Sequence, residues 1–410
     1  MNPDTSTAAA SHEWRRGWPV VAAAMIGIGT GPGLFQNLSS LFTPGMSAEF
    51  GWSRGQIATA AGLGLIGGLA APFLGRLADR VGVRTVIAGA MLLLGAAYLG
   101  MATMTGGLWQ YQLLILCLAL AVPGTSSLSY GKLVAARFNR HRGFALALAT
   151  SGLSLTTLLL PALVAAVIGL WGWRGGFLAL SVLVAAVALP LVTLLLRRPP
   201  AVVADGAQAA TAPLEGMTGA EARRTPRFWA LGAAALLINV ATVGLVTQMV
   251  PFGLERGLTA GEAALLLVSY GASQIVGRFG IGVLVDHFPA PPMAAAAAAL
   301  SAVGFAALLL IGAPGFPLLM ALVFVAGLMH GAENDLLPFL ASRLFGLKTY
   351  GEIFGSLLVL ALLGTATGIA GWGRIHDLTG SYSWPLGTAT VAMALSGVLF
   401  LSLGRGERRG

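Results

Sequence analysis

Residues 75–85 read GRLADRVGVRT, a short basic loop between two apolar runs at about 55–75 and 84–105. Each run has the length of a helix that crosses a membrane. Within the loop, Asp79 is an anion that can pair with arginine, and Gly82 can adopt a turn conformation. The stretch therefore predicts two membrane-spanning helices joined by a loop that can form specific charge pairs.

The rest of the chain repeats this alternation of apolar runs and short polar loops. The 410 residues are 56% hydrophobic and only 10% charged, whereas soluble chains carry about 25% charged residues. We therefore expect an all-α membrane protein with twelve transmembrane helices. The predicted spans are about 18–43, 55–75, 84–105, 109–135, 143–169, 174–196, 228–253, 262–285, 290–312, 316–341, 350–372 and 382–404.

The loop has a partial copy at residues 282–287, which read GVLVDH. Gly282 and Asp286 repeat the spacing of Gly75 and Asp79, at the end of the eighth predicted span. Such internal repetition is typical of transporters that are built from two halves. The predicted domains are a cytoplasmic tail at 1–17, a six-helix bundle at 18–196, a cytoplasmic linker at 197–227, a second six-helix bundle at 228–404 and a cytoplasmic tail at 405–410.

Lysine and arginine are distributed unevenly between the two sets of loops. Of 24 such residues, only Arg54, Arg174, Arg256 and Arg374 fall in the set opposite the termini, and Arg278 falls inside a span. This bias predicts that both termini are cytoplasmic in a multi-pass protein of the cell inner membrane. The net charge of +9 then follows from topology. We expect a monomer in the lipid bilayer that binds no nucleic acid.

The stretch at 75–85 resembles the signature loop of the major facilitator superfamily. This resemblance implies a cytoplasmic gate whose charge pairs form in one conformation and break in the other. A basic loop that only sets topology is the alternative. The gating residues expected from the loop and its neighbours are Asp79, Arg80, Arg84, Asp286, Arg137, Arg142 and Arg343.

Three further loops are similar to those of the monocarboxylate transporters and oxalate/formate exchangers. They are residues 136–147 (ARFNRHRGFALA), 372–382 (WGRIHDLTGSY) and 50–54 (FGWSR). The resemblance implies a small organic anion as substrate. Two departures limit it, because Gln274 stands where vertebrate monocarboxylate carriers place an aspartate, and residues 351–373 lack the lysine of the oxalate exchanger.

Arg278 lies inside the eighth predicted span, where a charged side chain is costly and is usually retained for function. Its guanidinium can bind a carboxylate through two hydrogen bonds. A structural ion pair with Glu333 or Asp335 is the alternative. Other polar residues in spans are weaker substrate-binding candidates, since such groups also join helices. They are Gln274, Asn239, Tyr270, Asn37 and Tyr130.

Glu333 and Asp335 are the acids that lie inside a span at the depth of Arg278. Being two residues apart on a helix, they point in different directions, so only one is expected to face Arg278. A substrate that binds Arg278 would release this acid to take a proton. We predict that Glu333, or failing that Asp335, carries the proton. Pairing of these acids with Arg343 or Lys348 is the alternative.

The chain lacks a phosphate-binding loop, a cluster of metal ligands and a nucleophile elbow. We therefore expect no enzyme activity, no cofactor and no metal. The interpretation is a secondary transporter of a small organic anion, in particular a monocarboxylate, by proton symport. An anion exchanger without proton coupling and a drug or metabolite exporter of the same fold are the alternatives.

Overall fold

The computed structural model describes residues 3–60, 63, 80–135, 137–138, 142–197, 216–312, 315–346 and 348–404. These residues are mostly helical. They contain no β-strand, and only one isolated β-bridge joins Gly216 to Gly346. The expected all-α architecture is confirmed for this part of the chain.

The helices are numbered in chain order within the described residues. A π-helical turn, Leu183–Ala188, joins α7 to α8. The helices are α1 Pro3–Gly29, α2 Pro32–Phe50, α3 Arg54–Ala60, α4 Val83–Ala102, α5 Leu108–Thr125, α6 Ser127–Ala135, α7 Arg142–Val182, α8 Leu189–Leu195, α9 Gly219–Arg223, α10 Pro226–Glu255, α11 Ala260–His287, α12 Ala290–Leu310, α13 Phe316–Phe345, α14 Tyr350–Thr379 and α15 Ser383–Gly404.

Ten stretches of the described residues are long and apolar enough to cross a membrane. Two features account for the difference from twelve predicted spans. Most of the second predicted span, 55–75, lies outside the described residues. The fifth and sixth predicted spans form one continuous stretch, Phe144–Leu195. Gly172 interrupts that stretch with a φ of 68°, a conformation that glycine adopts readily.

Two predicted spans are broken helices rather than single ones. The first, predicted at 18–43, is divided between α1 and α2 at Thr30, and α2 begins with Pro32. The fourth, predicted at 109–135, is divided between α5 and α6 at Ser126. Pro32 stands at the first position of α2, where its missing N–H needs no partner, and Pro123 lies inside α5 shortly before that helix ends.

The chain divides into two compact units that do not coincide with the sequence halves. The first unit contains residues 1–36, 66–156 and 167–211, and the second contains 37–65, 157–166 and 212–410. In the second unit, α10 packs along α14 and α15, α11 packs along α13, and α3 packs against α14. The second unit therefore combines a segment of the first half of the sequence with the whole of α10–α15.

The end of the predicted linker is bound to the second unit. The backbone N–H of Met217 donates to the carbonyl oxygen of Phe345 at 2.8 Å, and Arg223 pairs with Glu352 at 2.9 Å. The Thr218 hydroxyl oxygen caps α9 by accepting from the backbone N–H of Glu221, and the backbone N–H of Thr218 donates to the Glu221 carboxyl group and lowers its pKa. Residues 198–215 of the linker lie outside the described part, and the domain boundaries stay a prediction.

Candidate functional site

Helices α11 and α13 are in close contact at two glycines. A Cβ atom on Gly277 would collide with the carbonyl oxygen of Leu328, and one on Gly331 would collide with that of Gln274. Small residues at such positions let helix backbones approach closely in a membrane. The contact brings polar side chains of the two helices together, starting with Gln274 and Arg278 on α11.

Arg278 is buried and forms an ion pair with Asp335 of α13. Only 9% of the Arg278 surface is exposed, and its Nε lies 3.3 Å from Oδ2 of Asp335. The side chain of Asp335 is 39% exposed. A buried cation is costly without an anionic partner, and of the two predicted acids Asp335 is the one that supplies it. Substrate binding by Arg278 stays a prediction.

Glu333 is buried and is bound by a different helix. Asn239 of α10 donates from Nδ2 to Oε1 of Glu333 at 2.6 Å. The amide oxygen of Asn239 accepts a hydrogen bond from the Thr365 hydroxyl of α14 at 3.1 Å. Successive helical residues turn by about 100°, so a spacing of two directs Glu333 and Asp335 to different neighbours. The sequence does not single out Thr365, because a threonine in an apolar run is equally compatible with packing.

A third polar group lies one helical turn before Glu333. The hydroxyl of Tyr270 donates to the carbonyl oxygen of Thr242 at 3.0 Å, and Oγ1 of Thr242 lies 2.9 Å from Nδ1 of His330. Beside them, Gln274 is buried, and its Nε2 has no hydrogen-bond partner within the described residues. An unpartnered buried donor is costly, and a ligand oxygen would satisfy it.

The other two substrate-binding candidates lie in different units. Asn37 belongs to the second unit and donates from Nδ2 to Oγ1 of Thr157 at 2.8 Å. The backbone of Thr157 lies against Gly271, the residue after Tyr270. Tyr130 belongs to the first unit, where its hydroxyl lies 3.8 Å from the sulfur of Met91.

The predicted gating residues are only partly described. Asp79 lies outside the described residues, as do the side chains of Arg142 and Asp286. Arg80 is exposed, and Arg84 and Arg137 are partly exposed. The guanidinium of Arg343 lies 5.4 Å from the ring centroid of Phe339. The gate stays a prediction.

Within the described residues, no group of three or more His, Cys, Asp or Glu side chains could hold a metal ion. Cys117 is a free, partly exposed thiol.

Comparison with known proteins relates the chain to membrane transporters. A family model described as Major Facilitator Superfamily matches residues 18–261. The chain is 28% identical to Monocarboxylate transporter 11 of Mus musculus over 394 residues, which cover 90% of this chain and 83% of that protein. It is also 28% identical to Monocarboxylate transporter 11 of Homo sapiens over 409 residues, with coverages of 94% and 81%.

A solved structure has a similar fold. It is a bacterial homologue of the human lysosomal transporter Spinster in an inward-facing and occupied conformation. The TM-score is 0.72 at 15% sequence identity, and the alignment covers 94% of this chain and 96% of that chain. Together with the family match, this similarity confirms the expected fold of twelve transmembrane helices in two six-helix repeats.

Proposed function

Because the chain belongs to the Major Facilitator Superfamily, and is therefore a multi-pass transporter and not an enzyme, we propose that it moves a small organic anion by alternating access. The substrate class is a monocarboxylate, and the transport is proton symport. The similarity to two monocarboxylate transporters supports this class. The uneven distribution of lysine and arginine supports a location in the inner membrane with both termini cytoplasmic.

The observation that carries the proposal is the Arg278–Asp335 ion pair beside the unpartnered Nε2 donor of Gln274. A substrate carboxylate can replace Asp335 on the guanidinium, because arginine presents a planar pair of donors to a carboxylate. Gln274 lies one helical turn away and can donate to the same anion. A bound carboxylate would therefore pair with the charge of Arg278 and accept a hydrogen bond from Gln274 at the same time.

Proton coupling follows from the displacement of the acid. Once the substrate occupies Arg278, Asp335 loses the cation that favours its charged form, and proton uptake becomes easier. Glu333, or failing that Asp335, carries the proton, because Glu333 is buried and accepts its hydrogen bond from the neutral amide of Asn239. The loaded carrier then changes conformation with the charge of the substrate balanced by the proton.

An anion exchanger without proton coupling is the second candidate function. The same ion pair favours it, because Arg278 already has Asp335 as a counter-ion when substrate is absent. Such a carrier replaces one bound anion by another at Arg278 and needs no proton to bind the next anion. Drug export has no comparable support, because apolar substrates would leave the donor of Gln274 unsatisfied.

The test uses purified protein in proteoliposomes and counterflow of radiolabelled monocarboxylates. We expect Arg278→Lys to raise the substrate KM about tenfold or more, because lysine loses one of two charge-assisted hydrogen bonds. The matched control is Arg374→Lys at an exposed position, which should behave like the wild type. Normal KM in Arg278→Lys, or the absence of counterflow for every carboxylate in the wild type, contradicts the proposal.

A further inference from the structure

A second polar cluster joins α3 to the ends of α10 and α14. All its members belong to the second unit, although α3 comes from the first half of the sequence. The predicted topology puts the cluster on the membrane face opposite the termini, because α3 follows the first predicted span. The proposed function uses none of its residues.

Asp377 at the end of α14 binds the chain where α3 begins. Its Oδ2 accepts hydrogen bonds from the Ser53 hydroxyl and from the backbone N–H of Gly55, both at 2.7 Å. The two backbones are also close, since a Cβ atom on Gly373 would lie 2.9 Å from the carbonyl oxygen of Arg54. Glycine is therefore required at Gly373 for this approach.

The guanidinium of Arg54 lies among three partners from separate segments. Its Nη1 is 2.6 Å from Oε1 of Glu255, 2.9 Å from Nε2 of His376 and 2.9 Å from the hydroxyl of Tyr382. Nη1 carries only two hydrogens. If Nε2–H of His376 donates to Glu255, 2.7 Å away, Arg54 can donate to both Glu255 and Tyr382. Nδ1 of His376 is buried and has no hydrogen-bond partner within the described residues.

Tyr382 extends this network inward. Its hydroxyl accepts a hydrogen bond from Nη1 of Arg54 and donates one to Oε1 of Gln248 at 3.0 Å. One turn further along α3, Ala58 packs with Val243 of α10 and Ile369 of α14 in a buried apolar cluster. Polar contacts thus lie at the membrane face, with an apolar layer beneath them.

We propose that Ser53, Arg54, Glu255, His376, Asp377 and Tyr382 form a latch that holds the carrier closed on this face. Ala58, Val243 and Ile369 form the seal beneath the latch. The inference rests on the proposed function only in requiring that the two faces open in turn. The closure of this face is thereby attributed to the contacts within the latch and the seal.

The exposure of the latch suits reversible opening. The side chains of Arg54 and Glu255 are 24% and 36% exposed, so water can replace their contacts when α3 moves away. Separating fully buried charges would cost several kcal/mol more. A partly hydrated ion pair instead stabilises the closed state by an amount that transport can overcome.

The test measures whether water-soluble reagents reach the seal. In a Cys117→Ser background, Ala58→Cys places the only thiol beneath the latch, and a membrane-impermeant maleimide is added outside proteoliposomes without substrate. We expect Arg54→Gln to raise the labelling rate roughly tenfold, equivalent to about 1.4 kcal/mol in the opening equilibrium. Glu255→Gln should raise it similarly, and the double variant should add little because both residues belong to one contact.

The control is Arg374→Gln, which removes an exposed arginine from the same end of α14 and should leave labelling unchanged. Size-exclusion profiles and thermal stability verify that each variant is folded. If Arg54→Gln does not fold, Glu255→Gln decides alone. Unchanged labelling in the folded variants overturns the latch. Failure of every carboxylate to be transported overturns the proposed function but leaves the labelling result intact.

Discussion

Glu333 and Asp335 are acids of the same helix, two residues apart, yet they have different surroundings. Glu333 is buried and accepts a hydrogen bond from the amide of Asn239. Asp335 is partly exposed and pairs with the guanidinium of Arg278. The first acid has a neutral partner that tolerates either protonation state, whereas the second has a cationic partner that favours its charged form.

The sequence leaves open which of the two acids pairs with Arg278 and which carries the proton. Their different surroundings separate these two roles. The anion that a substrate carboxylate would displace from Arg278 is Asp335. The carboxyl group that can gain a proton without losing an ion pair is Glu333. The two acids can thus be distinguished by variants that remove one charge at a time.

The largest change in the free energy of unfolding is expected for Asp335→Asn. Arg278 loses its anionic partner, and the free energy of unfolding should fall by about 1–3 kcal/mol, less than for a fully buried pair because Asp335 is partly exposed. A monocarboxylate should restore part of this loss, so the thermal shift that it produces should exceed that of the wild type. Thermal denaturation in detergent measures both.

The control for Asp335→Asn is Glu352→Gln, which removes the acid of an exposed ion pair with Arg223. Its stability should change by at most about 1 kcal/mol, with no change in the ligand-induced shift. A smaller ligand shift in Asp335→Asn than in the wild type would show that Asp335 does not compete with the substrate for Arg278.

The second-largest effect is expected for Glu333→Gln, in the coupling of substrate transport to the proton gradient. The glutamine oxygen can still accept from Asn239, so the free energy of unfolding should change by less than about 1 kcal/mol. Counterflow should persist, because exchange needs no net proton movement. Accumulation driven by an imposed pH gradient should be lost, as measured by radiolabel uptake into proteoliposomes.

Loss of both activities in Glu333→Gln would indicate a role in folding or binding. Retention of both, together with normal accumulation in Asp335→Asn, would favour the exchanger. The different surroundings of Glu333 and Asp335 would then reflect helix packing and not separate roles in transport.

The smallest effect is expected for Thr365→Val, which removes the hydrogen bond that orients the amide of Asn239 toward Glu333. The cost should be about 1 kcal/mol. Accumulation in a pH gradient should fall while counterflow stays normal. Thr367→Val is the matched control on α14, because its hydroxyl bonds within its own helix. Equal behaviour of the two variants would contradict a positioning role for Thr365.

Much of the site could be predicted because charge is rare in apolar runs. Arg278 stands out as a cation within a span, and Glu333 and Asp335 stand out as acids at a similar depth. Their partners could not be predicted, because these depend on the rotation of α13 and on which helix lies beside it. Arg54 was identified as an exception in the charge distribution and as part of the loop at 50–54. Its partners Glu255, His376 and Tyr382 could not be predicted, because they are distant from it in sequence.

The sequence alone determined that this protein spans a membrane many times, because apolar length and the distribution of arginine reflect the bilayer directly. It also predicted a cation and two acids at a similar depth within their spans. Only the tertiary structure decided that Asp335 pairs with Arg278, that Glu333 binds Asn239, and that α3 packs against α14. Those contacts depend on glycines such as Gly331 and Gly373, whose effect appears only when two helices meet at them.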